Sequence, residues 1–195
     1  MSLWSGPFGD EYTKRNVSTN LDARLSMLKK LLPRHVESIL EIGANVGANL
    51  NAISLFKDIE MFACEPNDLA RRQIQLPADH ITADYADHIQ FPDGVADLAM
   101  TVGVLIHVPS NQLLPSMREI HRCARRYILC GEYFAPQEEV VPYRGQAEAL
   151  WRRDYGSLWL DAFPDLQCTS CTFAWKRTTG LDNLTFWLFE KIDGN

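Results

Sequence analysis

The chain of 195 residues carries 25 acidic against 19 basic side chains, a net charge of -6, with 46% hydrophobic and 23% charged residues. This is the composition of one globular unit. It excludes a broad basic field for gripping phosphate backbones, and no apolar stretch approaches the roughly 20 residues needed to span a bilayer.

The start, Met1-Ser2-Leu3-Trp4-Ser5-Gly6-Pro7, lacks the basic-then-apolar layout of a secretory signal, so a cytoplasmic protein is expected. Cys64, Cys123, Cys130, Cys168 and Cys171 are an odd, scattered set, which predicts reduced thiols. Cys168-Thr169-Ser170-Cys171 has the spacing of half a zinc site, but no second pair accompanies it, and no metal is expected.

From Asn20, apolar Leu21, Leu25, Leu28, Leu31 and Leu32 recur at helical intervals, with Asn20 as cap and Pro33 as stop. Ser38 to Gly43 reads as a strand entering a Gly/Asn-rich turn, and Gly47 to Phe56 as the helix after it. Glu60 to Glu65 is a second strand, followed by a helix from Asn67 to Gln75, and His80 to Ala83 is a short third strand. Val95 to Val102 is a fourth strand, Asn111 to Cys123 a helix and Tyr127 to Gly131 a fifth strand. A helical segment is expected around Ala147 to Phe163, then two β-rich runs, Gln167 to Ala174 and Thr185 to Glu190, with no helix between them and therefore paired antiparallel. Strands alternating with helices, without period-two polarity, predict a doubly wound, mostly parallel α/β sheet of about seven strands with a C-terminal antiparallel hairpin.

In such a sheet ligands collect at the carboxyl ends of the strands where the strand order reverses, so the turns after strands one, two and four carry most weight. After strand one stands Glu41-Ile42-Gly43-Ala44-Asn45-Val46-Gly47-Ala48-Asn49. It resembles motif I of class I methyltransferases, an acidic residue followed by Gly-x-Gly-x-Gly, with Asn45 in place of the middle glycine. Asparagine enters left-handed backbone conformations at modest cost, so the turn is retained. The resemblance implies S-adenosylmethionine as cofactor, with Glu41 meeting its ammonium group. Glu65, at the end of strand two, is the acid expected to grip both ribose hydroxyls. Dinucleotide enzymes share that device, but their Gly-x-Gly-x-x-Gly turn leaves room for a pyrophosphate, whereas Gly43, Asn45 and Gly47 are spaced by single residues. The same resemblance makes Asp84 the partner of the adenine amino group, and it makes Gly103 and Val104 line the cofactor. His107 then points toward the acceptor, as a general base whose ordinary pKa near 6.5 suits proton removal at neutral pH.

Further stretches are similar to the small methylases associated with pseudaminic acid biosynthesis. They are Trp4 to Asn16, the Gly-x-Asn-x-Gly turn with Asn49, Gly103 to His107, Gly131 to Phe134, Pro142 to Gly145, and Arg152 to Tyr155. In that family Asn45 is the expected residue. The resemblance implies a cofactor set of Tyr12, Glu41, Gly43, Ala44, Asn45, Gly47, Asn49, Glu65, Pro66, Asp84, Tyr85, Gly103 and Val104. It implies an acceptor set of His107, Tyr143 and Arg144, with Tyr133 nearby. An arginine fork at Arg144 matches a carboxylate, so a carboxylated sugar-type metabolite is the expected acceptor; the alternative for Arg144, Arg152 and Arg153 is a solvated or salt-bridged helix face. Trp4, Phe8 and Tyr12 read either as a lid over the cofactor or as aromatic anchors of the terminus.

The expected division is a helical lid over residues 1–35, a cofactor-binding core over 36–132, and a substrate-side helix with the hairpin over 133–195. The expected partner is a small molecule, with neither nucleic acid nor membrane, and a homodimer is left open. Two rival readings keep the same sheet: a nicotinamide-dependent oxidoreductase, and a non-catalytic protein that binds the cofactor and acts as a partner or sensor.

Overall fold

The periodicity that predicts strands and helices places them around one sheet in the computed structural model, which describes residues 3–15 and 20–192. Asn16, at the end of the N-terminal stretch, lies outside the described residues. Two helices precede the sheet, α1 (Pro7–Arg15) and α2 (Leu21–Leu31). Asn20 caps α2, its side chain accepting from the Ala23 amide at 3.2 Å. The alternation follows: β1 (Ser38–Ile42), α3 (Ala48–Ser54), β2 (Glu60–Cys64), α4 (Asp68–Arg71), β3 (Ile81–Thr82), β4 (Ala96–Val102), α5 (Ser110–Cys123) and β5 (Ala124–Glu132). The chain closes with β6 (Glu139–Val140), β7 (Trp151–Arg152), α6 (Tyr155–Ala162), β8 (Leu166–Ala174), α7 (Lys176–Thr179) and β9 (Leu184–Lys191).

The main sheet has seven strands in the order β3-β2-β1-β4-β5-β9-β8. β1 to β5 run parallel, and β9 lies antiparallel between β5 and β8. Side chains alternate across the sheet, so each strand feeds two cores. Ile39, Leu98, Met100, Tyr127 and Leu129 face α2 and α3, where Met27, Leu28, Leu50 and Ile53 pack. Leu40, Ile42, Ala99, Ile128 and Cys130 face α5 and α6, with Met117, Ile120, Tyr155 and Trp159. By the same alternation Glu41 falls on the α2–α3 side and Glu132 on the α5–α6 side. The order reverses between β1 and β4, which opens a crevice at their carboxyl ends.

The structure corrects four elements. The helix expected from Asn67 to Gln75 is a single turn, because the Gln73 and Ile74 amides bond back three residues, to Ala70 and Arg71, and Pro77 ends the run. The third strand holds two residues, after a tight 3₁₀ turn at Ala78–His80. Residues 147–154 are not helical. Trp151 and Arg152 pair with Val140 and Glu139 as a small second sheet, and the helix begins where the Asp154 side chain caps the Ser157 amide at 3.1 Å. The hairpin strands do pair antiparallel, but the one-turn α7 lies between them.

Gly131 on β5 lies opposite Phe186 on β9, and a Cβ there would fall inside the Phe186 ring. Gly131→Ala should therefore destabilise the fold by about 1–3 kcal/mol, the cost of overpacking a filled core. Urea unfolding measures it, and an unmoved midpoint would mean that the Phe186 ring is free to shift.

Candidate active site

The crevice at the carboxyl ends of β1, β2 and β4 encloses about 1080 Å³ including its open mouth, room enough for a nucleoside-sized ligand. Its floor is the turn after β1. Gly43, Asn45 and Gly47 all have positive φ, at 68°, 50° and 74°. A Cβ on Gly43 would come within 2.6 Å of Val104, so this glycine is needed for close packing as well as for its backbone angle. Gly43 and Asn45 line the crevice with Ala44, while Gly47 starts α3 behind it and contacts Ile74.

Glu65 ties the ends of the first two strands together. One carboxylate oxygen accepts from the Asn45 amide and the other from the Asn67 amide, each at 2.7 Å. Burial nonetheless pushes its pKa above the ordinary carboxylate value. Asn67 in turn caps α4 and donates through its side chain to the Trp4 carbonyl at 3.1 Å and to Asp10 at 2.9 Å. Through that amide the turn, β2 and α1 form one hydrogen-bonded unit.

On the α2–α3 side a polar row runs into the cavity. Arg24 donates to the Asn49 side-chain oxygen at 2.5 Å, and Asn49 donates to Glu41 Oε1 at 2.6 Å. Arg24 Nε and Glu41 Oε2, both buried, have no hydrogen-bond partner among the described residues, nor does Asn45 Oδ1. Burial pushes the Glu41 carboxyl up to about 8.

Asp84 is also at the crevice, but both its oxygens already accept from Gln90, from the backbone amide at 2.8 Å and from the side-chain amide at 2.6 Å. Tyr85 donates to Ser5 at 2.7 Å, a further link between the crevice and the N-terminal segment. Pro66 lines the same wall.

At the far end, Gly103 (φ 69°) and Val104 pass into a 3₁₀ turn over Leu105–His107. His107 is bonded through Nδ1 to the Ala149 carbonyl at 2.6 Å, and since a carbonyl only accepts, Nδ1 carries the proton and Nε2 is left as an acceptor. Burial pushes the His107 pKa down to about 4, a correction to the ordinary value near 6.5 expected from sequence. The Trp4 ring lies 4.3 Å from the His107 ring and packs edge-on against Phe8 and Tyr12. Trp4 and Tyr12 also line the crevice, so the rings that pack the N-terminal segment border the cavity.

Tyr143 packs 5.4 Å from His107, centroid to centroid, at the rim and not among the crevice walls. Arg144 is exposed, at φ 49°, with its guanidinium 5.5 Å from the Tyr143 ring. Tyr133 donates to Asp182 at 3.3 Å outside the crevice. Of the other two arginines, Arg152 pairs with Glu139 at the surface and Arg153 is buried in a structural network. The three arginines therefore do not converge on one place. Arg24, Thr13 and Asn67 line the crevice without having been singled out as ligand contacts. Arg24 looks like any solvated charge on an amphipathic helix, and Asn67 like a simple cap.

Residues 40–127 match the family model described as a methyltransferase domain. No curated protein matches the chain. Several solved structures share its fold. One is Burkholderia thailandensis 1,6-didemethyltoxoflavin-N1-methyltransferase, with bound 1,6-didemethyltoxoflavin and S-adenosylhomocysteine, at 15% identity and TM-score 0.71 over 98% of this chain and 85% of that one. Another is a Methanosarcina mazei S-adenosylmethionine-dependent methyltransferase, at 15% identity and TM-score 0.64 over 86% and 98%. A third is mitomycin 7-O-methyltransferase, at 13% identity and TM-score 0.70 over 97% and 60%.

Glu41 and Glu132, at the ends of β1 and β5, hold raised pKa values of about 8 and about 7. A raised folded-state pKa gives stability that is present below the unfolded value and lost as pH climbs through the folded one. His107 acts in the opposite sense, but only below about 6.5. The melting temperature of the ligand-free protein should therefore fall between pH 6.5 and 8. A flat or rising profile in that window would contradict the burial of these two carboxyls.

Proposed function

We propose that this chain is an S-adenosylmethionine-dependent methyltransferase, a reading supported by the methyltransferase-domain match over residues 40–127 and the shared fold, and that it methylates an oxygen or nitrogen of a small polar acceptor. The sequence resemblance favours a carboxylated sugar-type metabolite of the pseudaminic acid kind. The observation that carries the cofactor half is the pair of unpartnered atoms Glu41 Oε2 and Arg24 Nε on one polar row beside the β1 turn. A carboxyl and a guanidinium left open together match the ammonium and carboxylate of an amino-acid moiety. Glu65, with a lone pair to spare on each oxygen, would hold the ribose hydroxyls, while Gly43 and Ala44 let the backbone come close. Asp84 and Tyr85 border the place proposed for the adenine, with Gly103 and Val104 across from them.

A nicotinamide dinucleotide fits less well, because the Asn45 amide that a pyrophosphate would need already bonds Glu65. Bound S-adenosylmethionine supplies an activated methyl group, and the protein's part is alignment, exclusion of water and handling of the acceptor's proton. Trp4, packed on His107, covers the acceptor end. Neutral His107, its Nδ1 proton fixed by Ala149, offers Nε2 to an O–H or N–H of the acceptor. A pKa near 4 makes it a weak base, suited to orienting the acceptor or to taking a proton as the methyl bond forms. In this reading residues 1–35 are the lid, 36–132 the cofactor core, and 133–195 the acceptor side, with Tyr143 and the exposed Arg144 at the rim for the substrate's carboxylate.

Calorimetry with S-adenosylhomocysteine tests the cofactor half. Glu65→Gln should weaken binding roughly 100-fold, the loss of two hydrogen bonds to a charged group. Because an arriving ammonium favours ionised Glu41, wild-type binding at pH 7 should release close to one proton, read from buffers of different ionisation heat. Unchanged affinity in the variant would remove Glu65 from the site, and absence of proton release would remove Glu41.

For the acceptor half, Arg144→Ala should raise KM for a carboxylated sugar about tenfold while leaving S-adenosylhomocysteine affinity as it is. An equal KM for acidic and neutral sugars in the wild type would refute the carboxylate reading.

A further inference from the structure

The loop that carries Val104 and His107 lies between β4 and α5 and belongs to neither. Its amides therefore begin a turn without intrahelical partners. Glu132, at the end of β5 and fully buried, meets them. Its Oε1 accepts from the Val104 amide at 3.2 Å and the Leu105 amide at 3.1 Å, and its Oε2 accepts from the Ile106 amide at 3.3 Å. The carbonyls of the same loop meet Arg153, which is 2% exposed. Arg153 Nη1 donates to the Val108 carbonyl at 3.0 Å, the Leu105 carbonyl at 3.4 Å and the Tyr155 hydroxyl at 3.3 Å. Its Nη2 donates to Ser110 at 3.1 Å and its Nε to Glu138 at 2.7 Å.

A carboxylate at the amide end and a guanidinium at the carbonyl end follow the sense of the turn's own dipole. Two buried charges are costly, and apolar side chains could fill the same space. Spent on the backbone of one short loop, they fix its position. The loop has little slack to give, since Val104 abuts the Gly43 turn and His107 packs against Trp4.

We propose that Glu132 and Arg153 are positioning residues of the transfer site, gripping the 103–108 loop from opposite ends and so setting where Val104 and His107 stand. The inference rests on the reading above that this loop borders cofactor and acceptor. Neither side chain lines the crevice. Arg153 also ties the 133–153 segment to this loop, so the acceptor side and the cofactor side share one fastening.

Glu132→Gln keeps the shape but turns one acceptor oxygen into a donor facing an amide. In that variant the Val104, Leu105 and Ile106 amides should exchange with solvent at least about tenfold faster, while the β1 and β2 amides hold their rates. The His107 ring ¹⁵N signals should lose their Nδ1-protonated pattern, and S-adenosylhomocysteine affinity should fall about tenfold. Arg153→Lys, which keeps the charge but not the fork, should give the same signature in weaker form. If Glu132→Gln does not fold, Arg153→Lys and Tyr155→Phe carry the measurement. Loop exchange and histidine signals that stay at wild-type values, or that change equally across the sheet, would overturn the clamp. A loosened loop with undiminished cofactor affinity would overturn its positioning role. Failure of the wild type to bind S-adenosylhomocysteine would overturn the cofactor reading, while the exchange and histidine measurements would still decide the clamp.

Discussion

The crevice depends first on the Glu65 carboxylate. Its two 2.7 Å bonds to the Asn45 and Asn67 amides fasten the end of β2 to the turn after β1 and to the start of α4. Without them the left-handed backbone at Asn45 would be held only by its neighbours, and Asn67 would lose the orientation from which it grips Trp4 and Asp10. The same carboxylate that suits a ribose thus first shapes the pocket into which a ribose would fit. Charge-assisted bonds to backbone amides are the stronger sort, which is why one side chain can do both.

Three buried carboxyls stand at strand ends, Glu41, Glu65 and Glu132, and burial raises the pKa of each. Their partners separate their roles. Glu65 meets two backbone amides and Glu132 three, so both act as struts for loops that would otherwise bury unpaired N–H groups. Glu41 accepts one bond from Asn49 and keeps an oxygen with no partner among the described residues. A buried acceptor left open costs free energy unless something from outside fills it, and that asymmetry singles out Glu41 among the three.

The sheet was largely legible because hydrophobic periodicity reports directly on burial: β1, β2, β4, α2 and α5 fall within a residue or two of expectation. The misread elements are those where local bonding overrides periodicity, backbone bonds after α4 and side-chain bonds before α6. Leu150, Trp151, Tyr155 and Trp159 are all buried, so their spacing suggests one helix, yet Arg153 needs acceptors that only an extended approach provides. Glycine spacing and strand-end acids pointed to Glu41, Gly43, Asn45 and Glu65, which line the crevice. The acceptor side was harder, since an exposed Arg144, a buried Arg153 and a surface-paired Arg152 are indistinguishable in sequence.

That contrast follows from how the work is divided along the chain. The family match ends at residue 127, before the 133–153 segment begins, and α1 lies before it starts. The segment supplies Tyr143, α1 supplies Phe8 and the turn before α1 supplies Trp4, the rings gathered around His107. Solved neighbours with the same sheet include one named for N1-methylation and one for 7-O-methylation, so the sheet itself does not set the acceptor atom. In the reading proposed above, α1 and the segment after β5 choose the acceptor, while the β1 turn and Glu65 hold the cofactor. The Glu132 and Arg153 contacts join the two sides in this chain, because they hold the 103–108 loop in place beneath the rings around His107.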